Sequence, residues 1–157
     1  MEQLTTVKTE IASWDAILFS LYYHDIVYNT LKTDNEEKSA ELAEKRMKEI
    51  LVPVDIIELT RQQIIATKSH NTSANKDTNY FTDADLSILG SDWGEYTVYF
   101  NKIRKEYAVY PAMMYNPGRK KVLQHFLQME RIFKTEIFCK KYEEQAKYNI
   151  EQELKLY

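Results

Sequence analysis

The residues best suited to chemistry are a histidine followed directly by an aspartate, and two further aspartates separated by an alanine. His24 and Asp25 end a strongly apolar segment, and Asp83 and Asp85 lie within another. An ionisable pair in such surroundings is costly to bury unless it is paired or bound to a metal. An imidazole nitrogen with a carboxylate oxygen suits zinc or a divalent transition metal. A hydrogen-bonded His–Asp pair at a helix end is the simpler alternative, and the sequence leaves both open.

Helix capping offers an alternative explanation for the second pair of acids. With Thr82 as the N-cap of a helix, Asp85 occupies the third helical position of a capping box. This arrangement explains Asp85 about as well as a metal does, but it explains Asp83 less well. The pair alone therefore does not decide between the two interpretations.

The two remaining histidines have ordinary structural explanations. His70 ends the segment Thr67–His70, and a histidine at the C-terminus of a helix interacts favourably with the helix dipole. His125 lies among apolar residues of a predicted helix and is interpreted as structural.

The basic residues suited to contacting phosphate are scattered along the chain. Arg119, Lys120 and Lys121 are predicted to open a helix, where cations oppose the helix dipole and an anion is welcome. These three residues either bind phosphate or form a solvated face. Lys68 and Arg104 are two further isolated candidates.

The composition predicts an all-α protein. The chain has 157 residues but only three glycines and three prolines, so few residues interrupt helices. The formal net charge of −3 argues against a broad electrostatic grip on nucleic acid. No apolar run approaches the roughly 18 residues that a membrane span needs, and no secretory signal follows Met1. The single cysteine, Cys139, excludes an internal disulfide and a cysteine-based zinc cluster. We therefore expect a cytoplasmic protein.

Hydrophobic spacing and turn residues divide the chain into helices. After a first segment, 1–10, which reads as the tail of a helix, the predicted helices cover about residues 14–25, 35–51, 53–69, 81–89, 93–107, 119–133 and 141–156. The inward face of the helix at 35–51 comprises Glu36, Ala40, Ala43, Met47 and Ile50. Asp34 and Glu37 form a predicted capping box at its start, which explains Glu37 but leaves Glu36 unexplained.

Several segments in this order resemble the HD superfamily, and more narrowly a bacterial branch of predicted metal-dependent phosphohydrolases. The resemblance covers almost the whole chain and is carried by Tyr22–Tyr28, Asp34–Glu41, Thr67–His70, Asp83–Gly90, Ile103–Tyr107 and Tyr115–Arg119. It implies a compact, HD-domain-like helical bundle of about seven or eight helices, formed as a single domain over residues 1–157.

The resemblance also implies a metal site. In that superfamily the ligands include a His-Asp pair and a later aspartate, which correspond here to His24, Asp25 and Asp85. His70 matches a position that binds a second metal or assists catalysis, and Glu36 occupies a motif position close to the site. The implied cofactor is a divalent ion: manganese, iron, nickel, zinc or magnesium.

The chain departs from the family pattern at its start. Family members carry an upstream histidine that provides the first metal ligand, whereas no histidine precedes His24 here. We therefore expect that an N-terminal segment of the domain is missing from this sequence.

Two functions follow from these expectations. The first is a metal-dependent phosphohydrolase that acts on a nucleotide or other small phosphorylated metabolite. In this hypothesis, His70 and Glu36 are catalytic, while Lys68, Arg104 and Arg119 contact the substrate phosphate. The second is a non-catalytic helical domain with an incomplete metal site that binds a nucleotide or a protein. Neither hypothesis involves a membrane or a nucleic acid.

Overall fold

All regular structure in the computed structural model, which describes residues 1–157, is helical. The eight α-helices are α1 Glu2–Thr6, α2 Trp14–Tyr23, α3 Asn35–Glu49, α4 Val54–Ala66, α5 Lys76–Leu86, α6 Trp93–Glu106, α7 Ala112–Gln128 and α8 Glu136–Leu154. Two short 3₁₀ turns cover Lys8–Glu10 and Ser87–Gly90. The predicted all-α class with seven or eight helices is confirmed. No helix of the protein is long and apolar enough to cross a membrane.

The helices form two compact units, Met1–Asp85 and Leu86–Tyr157. The single domain inferred for residues 1–157 from the family resemblance therefore stays a prediction.

The core of the first unit lies where α2, α3 and α4 pack together. Its buried members are Tyr23, Ala40, Ala43, Met47, Ile57 and Ile64. The predicted inward face of α3 is confirmed for its two alanines and Met47, which are almost completely buried. Ile50 is instead 66% exposed, because α3 ends at Glu49 and the next residue no longer follows the helical repeat.

The capping box predicted at the start of α3 is wrong. Asp34 does occupy the N-cap position, but its side chain makes no capping hydrogen bond. Its carboxylate pairs instead with Lys38, with 2.8 Å between Nζ and Oδ2. The Glu37 carboxylate likewise accepts a hydrogen bond from Lys68. Both acids are thus paired with lysine ammonium groups.

Helix α5 begins at Lys76, earlier than the predicted start near residue 81, so the prediction that Thr82 is its N-cap is wrong. Asn75 is the residue that caps it: its Oδ1 accepts a hydrogen bond from the backbone N–H of Thr78 at 2.9 Å. Thr82 consequently lies inside the helix, where its hydroxyl donates to the Thr78 carbonyl. Asp85 therefore has no capping role.

The buried carboxylate of Asp77 fixes the start of α2 in the first unit. Its two oxygens accept hydrogen bonds from the backbone N–H groups of Ala12 and Ser13, at 3.0 and 2.7 Å. These residues immediately precede α2, which begins at Trp14. Asp77 thereby links the first turn of α5 to the entry of the helix that ends at His24.

In the second unit, α8 packs closely against the 3₁₀ turn that ends at Gly90. A Cβ atom at Gly90 would lie only 2.6 Å from the Cβ of Tyr142, so no larger residue fits without displacing backbone. The side-chain amide of Asn149 donates to the carbonyls of Leu89 and Ser91, at 2.9 and 2.8 Å. Gly90 directly follows the helix predicted at about 81–89, and its small size permits this close approach.

The residues Asn116, Pro117 and Gly118 predict a turn before the helix at about 119–133, but α7 begins at Ala112 and contains all three. Pro117 lies inside the helix, and Arg119 is therefore in its middle rather than at its N-terminus. The prediction that Arg119, Lys120 and Lys121 open a helix is wrong. Proline removes the hydrogen bond to the carbonyl four residues earlier, which belongs to Met113. That residue lies in the first turn of α7 and is 86% exposed.

Candidate functional site

His24 lies directly after the last residue of α2, and its side chain is 19% exposed. The ring meets Phe81 edge-on, with 5.8 Å between the two ring centroids. Its Nδ1 is 3.0 Å from the carbonyl oxygen of Leu21. Because a carbonyl only accepts hydrogen bonds, this contact assigns a proton to Nδ1 and directs Nε2 away from the helix.

Two carboxylates lie near Nε2 of His24. The distance to Asp25 Oδ2 is 3.4 Å and the distance to Asp85 Oδ1 is 3.8 Å. An unprotonated Nε2 would direct a lone pair towards two negative charges, which is unfavourable. A cation between these atoms would remove the repulsion. The arrangement is therefore compatible with a bound cation.

His70 reaches the same aspartate from the end of α4. Its Nε2 lies 2.8 Å from Asp85 Oδ2, and its side chain is 14% exposed. The backbone of His70 has a φ of 52°, in the left-handed region that non-glycine residues adopt uncommonly. Its N–H still donates to the Ala66 carbonyl at 2.9 Å. His70 therefore combines an uncommon backbone conformation with a side-chain contact to Asp85.

Asp85 therefore links the two histidines through different oxygens, Oδ1 towards His24 and Oδ2 towards His70. The three residues come from the ends of α2, α4 and α5, all within the first unit. The structure brings together all four of the residues assigned from the sequence to metal binding or to a catalytic histidine: His24, Asp25, His70 and Asp85.

Glu36 and Lys68 lie around the start of α3. The Lys68 ammonium donates to Glu37 and to the Thr33 carbonyl. The hydrogen bond that Lys68 donates to Glu37, together with the negative charges of Glu37 and Glu36, raises the pKa of Lys68 above its ordinary value. Lys68 thus already neutralises nearby carboxylates, and its predicted contact with phosphate stays a prediction, as does catalysis by Glu36.

Arg104 and Arg119 belong to the second unit, and both are engaged within it. Arg104 donates to the carbonyls of Tyr107 and Tyr110, at 3.0 and 3.2 Å. Arg119 donates two hydrogen bonds of 2.8 Å to the Glu153 carboxylate. The side chain of Arg119 is only 9% exposed. Both guanidinium groups therefore stabilise the second unit, and their predicted role in binding phosphate stays a prediction.

The donor types of the cluster suit a divalent metal, but the side chains do not form a coordination shell. No group of three or more His, Cys, Asp and Glu residues is arranged to hold a metal ion. Two atoms that share an ion at about 2.1 Å lie roughly 3.0–3.4 Å apart. The 3.4 Å between His24 and Asp25 meets this spacing, whereas the 3.8 Å between His24 and Asp85 exceeds it. Metal binding thus requires a small adjustment of Asp85.

No protein-family model matches the chain, and no curated protein or solved structure is significantly similar to it. The geometry defines a histidine–carboxylate cluster at the converging ends of three helices.

The sequence analysis did not identify three buried acids that accept hydrogen bonds from distant parts of the chain. Asp77, Glu143 and Glu153 are all buried, although charged residues are rarely buried without partners. The partners of Glu153 include Arg119, which is 34 positions away in the sequence. Local spacing carries no signal of such a pair.

Proposed function

We propose that this protein is a metal-dependent phosphohydrolase that acts on a nucleotide or another small phosphorylated metabolite. His24, Asp25 and Asp85 would hold the divalent cation. The observation that carries the proposal is the approach of two carboxylates to Nε2 of His24, while the other ring nitrogen contacts a carbonyl. The resemblance of these segments to the HD superfamily supports the same assignment.

A bound divalent metal would supply a Lewis acid and lower the pKa of a coordinated water to about 7. The Leu21 carbonyl holds the ring of His24 so that Nε2 faces the carboxylates. Asp85 uses one oxygen towards His24 and keeps the other on His70. When Nε2 of His70 donates to Asp85, Nδ1 is the atom that takes up or delivers a proton.

A non-catalytic binding domain is the second candidate function. It is favoured by the absence of a three-residue group arranged to hold a metal. The engagement of Lys68, Arg104 and Arg119 in contacts within the protein favours it as well. In this function the cluster would be a remnant, and the protein would bind a nucleotide or a protein partner without turnover.

Metal content distinguishes the two functions when it is measured together with phosphate release. The protein is incubated separately with manganese, iron, nickel, zinc and magnesium, desalted, and analysed by elemental mass spectrometry. We expect one of these metals at near-stoichiometric content in the wild type and its loss in His24→Ala. His125→Ala is the matched control, because His125 is an exposed histidine on α7 in the other unit.

The metal-loaded protein is then tested for phosphate release from a panel of nucleotides and phosphate esters. Release by the wild type and by His125→Ala, but not by His24→Ala, is the expected result. Metal binding without phosphate release would favour the binding domain. A wild type that retains none of the metals would contradict the proposed metal site.

A further inference from the structure

Two buried polar atoms on α4 have no hydrogen-bond partner within the protein. They are Oγ1 of Thr60 and Nε2 of Gln63, and neither residue has any exposed surface. Burying such groups without hydrogen bonds is unfavourable, and almost all buried polar atoms in proteins have a partner. Two such atoms, three residues apart on one helix, therefore need an explanation.

A third buried polar side chain meets them from α2. The Oγ of Ser20, a fully buried residue, lies 2.7 Å from Oε1 of Gln63 and 3.4 Å from the carbonyl oxygen of Thr60. A hydroxyl has one proton, so the shorter contact indicates that it donates to Gln63. Turning the Gln63 amide over would exchange the roles of its two end atoms. One of those atoms would still lack a partner.

We propose that the interface between α2 and α4 holds one buried water molecule, bound by Thr60 Oγ1 and Gln63 Nε2. The amide of Gln63 donates to the water, and the hydroxyl of Thr60 either donates or accepts. A lone pair of Ser20 Oγ offers a third contact. Buried waters typically make two to four hydrogen bonds to polar groups that lack other partners, and this cluster supplies that number.

The water lies one helical turn before the candidate site. Ser20 and His24 are four residues apart on α2, and the Ser20 carbonyl accepts the backbone N–H of His24 at 2.9 Å. On α4, positions 60, 63 and 67 follow a helical spacing that leads towards His70 just beyond the helix. The water would thus join the two helices whose ends carry the histidines.

The proposal is tested by whether Thr60→Val lowers or raises the thermal unfolding midpoint. Valine keeps the shape of threonine and removes the hydroxyl. If the hydroxyl binds a water, the variant removes one of its partners and the thermal unfolding midpoint falls. If the hydroxyl is without a partner, its removal is neutral or stabilising, and an unchanged or higher midpoint would overturn the proposal. Thr97→Val, whose hydroxyl donates to the Trp93 carbonyl on α6, controls for the exchange of threonine for valine within a helix.

Nuclear magnetic resonance detects the water directly. We expect a rotating-frame Overhauser cross-peak between water and the side-chain amide protons of Gln63, and its loss in Thr60→Val. The exposed amide of Gln62, which donates to Glu58, serves as the comparison within the same spectrum. A Gln63 amide that shows no cross-peak to water in the wild type would contradict the proposal.

Discussion

Two clusters of charged residues, one in each unit, differ in the distances that separate their charged groups. In the second unit, the buried Glu153 carboxylate accepts two hydrogen bonds from Arg119 at 2.8 Å and one from Tyr96 at 2.5 Å. It accepts another from Tyr157 at 2.8 Å. In the first unit, Asp85 is 30% exposed and lies 3.8 Å from one histidine and 2.8 Å from another.

The difference separates a cluster that stabilises the protein from one suited to binding. Burial alone would raise the pKa of Glu153, but its hydrogen bonds and the charge of Arg119 outweigh burial and lower it. Burial and the bond to Glu153 raise the pKa of Tyr96. Both shifts favour an ionised Glu153 carboxylate and a neutral Tyr96 hydroxyl in the buried cluster. Around His24, two carboxylates approach a ring nitrogen at 3.4 and 3.8 Å, and the proposed cation would lie between them.

The largest expected effect comes from breaking the buried cluster. Glu153→Ala leaves the Arg119 guanidinium buried without its partner, and we expect the free energy of unfolding to fall by about 3–5 kcal/mol. Chemical denaturation measures the change. Glu151→Ala, an exposed residue on the same helix, is the control and should change stability little. A loss below about 1 kcal/mol in Glu153→Ala would show that the pairing is not stabilising the unit.

The lowered pKa of Glu153 predicts a loss of stability in acid. The carboxylate stabilises the folded state fully above its ordinary pKa of 4.5. This stabilisation is lost as the pH falls through the lower pKa of the folded state. Between those two pKa values, one titrating group changes the free energy of unfolding by about 1.4 kcal/mol per pH unit.

Denaturation curves collected between pH 6 and pH 2 test this dependence on the wild type and Glu153→Gln. Glutamine cannot titrate, so the variant should be less stable above pH 4.5 and should lose less stability in acid. Glu151→Gln again provides the matched control. An identical pH slope in the wild type and Glu153→Gln would show that Glu153 does not contribute.

Two residues of the first unit, Leu51 and His70, have a left-handed backbone conformation. Replacing each with glycine should have a smaller effect on stability. Leu51, with a φ of 58° and 89% of its surface exposed, follows α3, whereas His70 contacts Asp85. Glycine adopts this backbone conformation without the steric penalty of a side chain, which is about 1 kcal/mol. Leu51→Gly should therefore stabilise the protein by roughly that amount and leave phosphate release unchanged.

His70→Gly should gain the same backbone relief but lose the contact with Asp85. We expect a small net change in stability together with a loss of phosphate release. Thermal unfolding and the phosphate assay measure the two properties on the same preparations. Full activity in His70→Gly would contradict a catalytic role for His70.

The sequence predicted the helices whose boundaries depend on local signals. Trp14 and Asn35 were identified as the starts of α2 and α3, because apolar spacing and polar connections are visible in a short stretch of sequence. Asn75 was a capping signal that was overlooked among other turn-forming residues. Pro117 was interpreted as part of a turn, although it lies inside α7.

The contacts of the candidate site depend on tertiary structure. The sequence singled out His24, Asp25, His70 and Asp85, but it did not predict that Asp85 contacts both histidines. The left-handed conformation of His70 is only weakly indicated by residue type, because glycine is the residue that usually marks it, although histidine is enriched there relative to most other residues. The predicted helix at 141–156 carried no indication that Glu153 is buried.

The central claim, that Asp85 and His24 share a cation, is tested most directly by calorimetric titration with manganese and zinc. Wild type and Asp85→Ala are compared, and circular dichroism verifies that both have the same helical content. We predict a single saturable site in the wild type and loss of most of that binding in Asp85→Ala. Unchanged metal binding in a correctly folded Asp85→Ala would contradict the claim.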